Sequence, residues 1–336
     1  MLSLAITLIA ALATGSLAQV ITVNCAPLTF YRGDPIIFPG VISPHVHAIV
    51  GGTRFDLSLT NEQATQAKAT TCDKLLDKSN YWQPQLYHQR RDGRFEMVEM
   101  QGIAAYYLNR ACDYAPGRTN CDNTPYAKAP PKGLRMVVGN PALRTYDPSS
   151  FEQKAISHVC LGTNGGETPY MPTKQCDRMR AETFFPSCWD GKNLDSGNHK
   201  SHMAFPAIGD YNTGVCPESH PVAILSVFFE FFYNTGAIQD FNRMVWAMGD
   251  PTGYGLHGDF LNGWSDQNAL ERAMDTCTGS QGVNAAGCSL NVGPDGPGHA
   301  STQPAEVPPP KEEIGFNGPL DRLPGDNPIT GQPVQG

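Results

Sequence analysis

The sequence predicts a mainly β fold, an antiparallel β-sandwich or jelly roll with a few short helices, stabilised by disulfides. Three observations carry that expectation. Apolar residues recur at every second position in short runs closed by turn residues, the period of a strand with one buried face. The 336 residues include 34 glycines and 28 prolines, which end elements often. The ten cysteines, from Cys25 to Cys288, form an even set of the kind that staples exported chains with up to five bridges.

The elements follow in chain order. Residues 1–18 read as a secretory signal peptide: an apolar run from Leu2 to Ala13 precedes small residues, Ser16 and Ala18, that a signal peptidase accepts. The run is shorter than the ~20 residues that span a bilayer, so no membrane anchor is expected and the mature chain belongs outside the cell. Thr60 and Gln63 form a capping-box pattern opening a helix in NEQATQAKA. FEMVEMQGIAAYYL alternates, with Val98, Met100, Ala104, Tyr106 and Leu108 on one side, and LRMVVGN and AISHVCLG are shorter strands. Cys112 and Cys121 bracket a turn-rich stretch and make a natural local pair.

In VAILSVFFEFFYN, Ala223, Leu225, Val227, Phe229, Phe231 and Tyr233 share a core face. Glu230 stands between Phe228 and Phe232 on the other face, either on a covered surface or in an apolar cleft that would raise its pKa. SDQNALERAMDTC puts Ala269, Leu270, Ala273, Met274 and Cys277 on one helical stripe, with Ser265 as N-cap. Residues 19–296 are expected to form a single β-rich domain, 297–311 a Pro-rich linker, and 312–336 a segment docking on the domain.

The composition also excludes. A net charge of −8, from 24 basic and 32 acidic residues with no basic run, argues against nucleic acid, whose phosphates need clustered Lys and Arg. The absence of any C-x-x-C pair ranks a cysteine zinc site below disulfides. No P-loop, dinucleotide fingerprint, nucleophile elbow or H-E-x-x-H is present. A monomer is expected.

Three polar stretches carry the candidate chemistry. SPHVHAIVGG offers His45 and His47, which project from one face of an extended segment and can supply two ligands to one metal. FPSCWDGKNLDSGNHKSHMAFP offers Asp190, Asp195, His199 and His202. GDPTGYGLHGDFLNGW offers His257 and Asp259 in a stretch that reads as a loop, too glycine-rich for strand or helix. Trp82, Tyr87, Trp189 and Trp264 are candidates for stacking on sugar rings. Each feature has a plainer alternative: imidazoles bonded to backbone, aspartates that form turns, a loop ion pair of His257 with Asp259, and tryptophans in the core.

These three stretches, together with DPIIFPGVISPHVHAIVGG, CDKLLDKSNYWQPQLY, CPESHPVAIL and LPGDNPITG, resemble a family of fungal secreted proteins that share a domain of unknown function, numbered nineteen ninety-six. The matching stretches run from about residue 34 to 331. The resemblance implies an extracellular protein handling cell-wall or plant polysaccharide, with the histidine motifs as its polar centre. Some members are joined to WSC modules thought to bind wall glycans, and this chain has none. At Asp326 the family often has Cys, so one family disulfide is absent here.

The expectation is therefore a secreted polysaccharide-active lyase or hydrolase. His45, His47 and one of His202 or His257 would bind a divalent metal ion or share proton transfer, and Asp195 or Asp259 would orient an imidazole. For hydrolysis, Glu230 with Asp195 or Asp259 would flank the glycosidic bond. The alternatives are a non-catalytic glycan-binding module, marked by aromatic platforms, and an extracellular metal-binding protein, marked by converging histidines on a flat or closed surface.

Overall fold

A computed structural model describes residues 20–162, 165–293 and 298–334; the expected signal peptide lies outside them. Eleven strands build the two principal sheets: β1 Val20–Cys25, β2 Pro27–Tyr31, β3 His47–Gly51, β4 Asn80–Pro84, β5 Met100–Leu108, β6 Arg135–Gly139, β7 Ile156–Leu161, β8 Gly166–Thr168, β9 Arg178–Phe184, β10 Ser226–Asn234 and β11 His257–Leu261. One sheet has six strands in the order β1-β5-β10-β9-β7-β8, and the other has five in the order β2-β3-β4-β11-β6. Every neighbouring pair in both is antiparallel. The fold is mainly β, as the alternating runs and frequent turns predict.

The inner faces meet on large side chains. Val227, Phe229, Phe231 and Tyr233 of β10 are fully buried, as are Tyr81 of β4 and Phe260 of β11. The rings of Tyr81 and Phe229 meet edge to face at 6.0 Å across the layer. Gly258 marks the closest approach of the sheets: a Cβ there would lie 2.6 Å from the Thr183 hydroxyl and 2.9 Å from the Phe229 ring. This corrects the reading of the third glycine-rich stretch as a loop. Its first half is one, but His257–Leu261 is a strand. The glycine is there because the facing sheet leaves no room for a side chain.

The outer face of the five-stranded sheet is covered by residues 34–66. Ile36, Phe55, Leu59 and Ala64 of that cover pack on Ile49, Trp82, Val137 and Leu261. The cover includes helix Asn61–Thr65, opened by the Thr60–Gln63 capping box. The helix Gln267–Thr276 buries the predicted stripe, but its N-cap is Asp266, which accepts from the Ala269 amide. Ser265 instead donates to Leu76 O.

All ten cysteines pair: Cys25–Cys72, Cys112–Cys121, Cys160–Cys176, Cys188–Cys216 and Cys277–Cys288. None is left free. Among the described residues no helix is long and apolar enough to cross a membrane. The tail runs back over the domain. Glu306 accepts from Thr53, Glu312 pairs with Arg32, the Tyr87 hydroxyl donates to Ile314 O, and Asn327 donates to Pro44 O.

Candidate metal centre

The pleat decides which side chains share the covered face of the five-stranded sheet. On β11, Gly258 and Phe260 point to the core, so His257, Asp259 and Leu261 point the other way. On β3, Ala48 and Val50 join the core, which leaves His47 and Ile49 on the same outer face. His47 pairs with Pro84 of the intervening strand, and Asp259 pairs with Trp82. Continued by two residues, that register brings His257 level with Pro84, so His47 and His257 flank one residue of β4. His45, in the bend before β3, completes the group.

The three rings close on one point. The Nε2 atoms of His45 and His257 lie 3.1 Å apart. Ring centroids are separated by 4.4 Å for His45–His47, 5.0 Å for His45–His257 and 5.9 Å for His47–His257. One nitrogen from each lies within 4.8 Å of the other two, the single such trio of metal-ligating side chains among the described residues. Two imidazoles on one tetrahedral ion, with bonds of 2.0–2.1 Å, hold their nitrogens about 3.3 Å apart. The His45–His257 pair already has that spacing, and His47 must turn inward to join it. Neither of its nitrogens makes a hydrogen bond of standard geometry among the described residues, although the Gly33 backbone lies close enough to act on the ring.

Protonation favours the same chemistry. His45, His47 and His257 are 6 %, 0 % and 5 % exposed, which makes the pocket closed. Burial, and then the neighbouring imidazoles, push the pKa values of His45 and His47 well below the ordinary 6.5. Burial brings His257 down to about 4, partly opposed by the Gly255 backbone. All three are therefore neutral donors at pH 7. The His257 Nδ1 donates to Gly255 O at 3.0 Å, which fixes the tautomer and leaves Nε2 with a lone pair facing the trio.

A buried carboxyl shares the covered face with the imidazoles. Asp259, two residues from His257 on the same face and so about 7 Å along the strand, is buried with both oxygens unpartnered among the described residues. Burial and then the Asp34 carboxylate raise its pKa well above the usual range, with Lys200 opposing. Asp34 accepts the Ile36 and Ile37 amides at 3.1 Å. Lys200 sits over the edge of this group, donating to Gly139 O at 2.6 Å and paired with Glu152. Asp34 and Lys200 were not singled out by sequence reasoning. The first is indistinguishable from a turn former in DPIIFPG, and the second from a solvated charge.

The other predicted residues lie elsewhere. His202 is buried, but both nitrogens are engaged, Nδ1 with Ser196 at 3.0 Å and Nε2 with Arg135 O at 2.6 Å, and it lies outside the trio. Asp195 bonds His199 at 2.9 Å rather than any of the three. Trp82, Tyr87 and Trp264 are fully buried, so none offers a face to a sugar. The Trp264 indole donates to the Tyr107 hydroxyl. Trp189 is half-buried, and its indole donates to Asn193 O at 2.6 Å. Glu230 lies on the outer face of the six-stranded sheet, with the whole sandwich between it and the histidines.

Residues 34–264 match the family described as Domain of unknown function (DUF1996), and the chain belongs to that family. Neither a curated protein nor a solved structure matches it. The matched span contains all three histidines of the trio.

Proposed function

We propose that this member of the DUF1996 family is an extracellular metalloprotein in which His45, His47 and His257 hold one divalent transition-metal ion of the zinc or copper kind. The observation that carries the reading is the convergence of the His47 ring on two imidazoles whose Nε2 atoms are 3.1 Å apart. A buried polar group without a partner costs roughly 1–3 kcal/mol. An ion at the trio takes a lone pair from each of the three rings at once and replaces the proton that His45 and His257 share. Neutral imidazole suits zinc and copper, and hard cations such as calcium and magnesium prefer oxygen. Asp259, two residues from His257 on the same face, can ionise to offset the added charge. Five disulfides support an oxidising, extracellular setting.

Three protein ligands leave a fourth position for water or substrate, as in catalytic zinc sites. A lyase or hydrolase acting on polysaccharide would use that position. The closed pocket and the burial of Trp82, Tyr87 and Trp264 give that reading less support than metal binding itself. The test is calorimetric titration of chelator-stripped protein with ZnCl2 and CuCl2. One ion per chain is expected for the wild type and for His202→Ala, and none for His47→Ala. Absence of binding by the wild type, or undiminished binding by His47→Ala, would overturn the assignment.

A further inference from the structure

The outer face of the six-stranded sheet carries a second assembly, on the opposite side of the sandwich from the histidines. Its register lays side chains in rows. Tyr106 of β5, Phe228 of β10 and Phe184 of β9 are direct cross-strand partners. Tyr106 and Phe228 stack at 5.5 Å, and Phe228 and Phe184 follow at 5.6 Å. The next row is Ala104, Glu230, Glu182 and Ser157. Beyond it Arg180 pairs with Phe232. Ala104 is the smallest member of its row. The two rows open into a cleft of about 400 Å³, within the roughly 300–1,000 Å³ of small-ligand sites.

The polar floor is pre-set. Arg180 joins the two carboxylates, at 2.5 Å to Glu182 and 3.2 Å to Glu230. The Tyr106 hydroxyl donates to Glu230 at 3.0 Å, and Ser157 donates to Glu182 at 2.8 Å. Glu182 Oε1 is covered by its ion pair with Arg180, while Glu182 Oε2 and both Glu230 oxygens each have one partner and capacity for another bond. Tyr106 and Phe228 are only partly buried, so an apolar ring surface borders a row of fixed acceptors.

We propose that this cleft binds a pyranose ring of a neutral glycan. The apolar face of the sugar lies on the Tyr106–Phe228 row, and its hydroxyls donate to Glu230 and Glu182. Two carboxylates share one guanidinium on the floor, and Glu167, Arg110 and Lys154 also line the cleft, with Lys154 paired to Asp210; the floor itself presents acceptors, which hydroxyls can bond and an acidic sugar's carboxylate cannot. A purely apolar ligand would leave the floor's acceptors unpaired. A hydroxyl-rich ring with one apolar face satisfies both rows.

The experiment is calorimetric titration of the full chain with cellohexaose, laminarihexaose and xylohexaose, with a galacturonate hexamer as the acidic arm. At least one neutral oligomer is expected to bind and the galacturonate is not. Phe228→Ala, which removes the stacking surface, and Glu230→Gln, which keeps the shape and removes the charged acceptor, should each weaken binding about tenfold. Tyr106→Phe keeps the ring, so it should weaken binding less than Phe228→Ala, and circular dichroism checks that each variant is folded. Chelator should leave binding intact, because the cleft is remote from the histidines. Failure of all three neutral oligomers, tighter binding of the galacturonate, or wild-type affinity in folded Phe228→Ala and Glu230→Gln would overturn the proposal.

Discussion

His45 and His257, 212 residues apart in the chain, bring their Nε2 atoms to 3.1 Å. The Gly255 carbonyl holds the His257 proton on the far nitrogen, so at least one of the facing atoms is a lone pair. Zinc at a hundred times its dissociation constant should therefore add about 2.7 kcal/mol to the stability of the wild type. Differential scanning calorimetry should show this as a rise in Tm that is lost in His257→Ala. In His202→Ala the rise should persist on a lower baseline, by roughly 1–3 kcal/mol, because Arg135 O loses its buried partner. A zinc-induced rise in His257→Ala equal to that of the wild type would contradict the centre.

Asp259 should respond with opposite signs with and without metal. Burial raises its pKa, so above the unfolded value the native state binds more proton than the unfolded chain does. The stability it contributes is present at low pH and is lost as pH rises toward the folded value. Asp259→Asn removes that cost, and the metal-free protein should melt a few degrees higher at pH 7. The same change removes a carboxyl that can ionise when a cation binds on its face of the sheet, so zinc affinity should drop several-fold. A parallel movement of stability and affinity would be inconsistent with this account.

His158 provides a pH test away from the trio. It lies in the core, its Nε2 accepting from the Trp246 indole at 3.3 Å, and burial brings its pKa from 6.5 to about 3. The unfolded chain takes up a proton below about pH 6.5 that the native state refuses. The stability is therefore complete above pH 6.5 and is lost as pH falls toward 3. Between pH 4 and 6 this one group gives a slope of about 1.4 kcal/mol per pH unit. Metal-free His158→Gln should show a stability profile flatter by that amount, measured by urea unfolding across the range. An unchanged slope would show that His158 titrates normally.

Gly258→Ala tests the closeness of the sheets. The added methyl meets the Thr183 hydroxyl and the Phe229 ring, both in packed surroundings. A loss of about 1–3 kcal/mol is expected in urea unfolding, with zinc binding weakened because His257 and Asp259 flank the displaced residue. Wild-type stability would mean that the layers can part at no cost.

What the sequence disclosed follows from period. Strand alternation made the core face of β10 legible, since Phe229, Phe231 and Tyr233 all fall on it. The i, i+2 spacing of His45 and His47 likewise foretold rings on one side. His257 was visible as a residue but not as a strand member, because Gly258 suppresses the apolar signal where the opposing sheet demands a missing side chain. Nothing local distinguishes His202 from His257. The choice between them is made by Arg135 O, which captures one, and by β-sheet register, which delivers the other. Trp82, Tyr87 and Trp264 show the same limit, for an aromatic residue in a polar-looking motif is covered or exposed according to segments far away in the chain. The pairing of Glu182 with Glu230 is also a matter of register between strands about fifty residues apart.

The returning tail bears on where the working unit ends. Val46, between two of the three histidines, packs in an apolar cluster with Tyr87, Phe95 and Val245, and Ile314 and Leu323 of the tail complete it. Asn327 holds Pro44 O, one residue before His45. The family match stops at residue 264, so the bend that presents His45 is seated on residues outside the shared domain. The matched span carries every ligand of the centre but not the foundation of one of them. A protein cut to that span would keep the motif and lose the grip on its first histidine, and the smallest piece able to hold an ion extends to about Asn327.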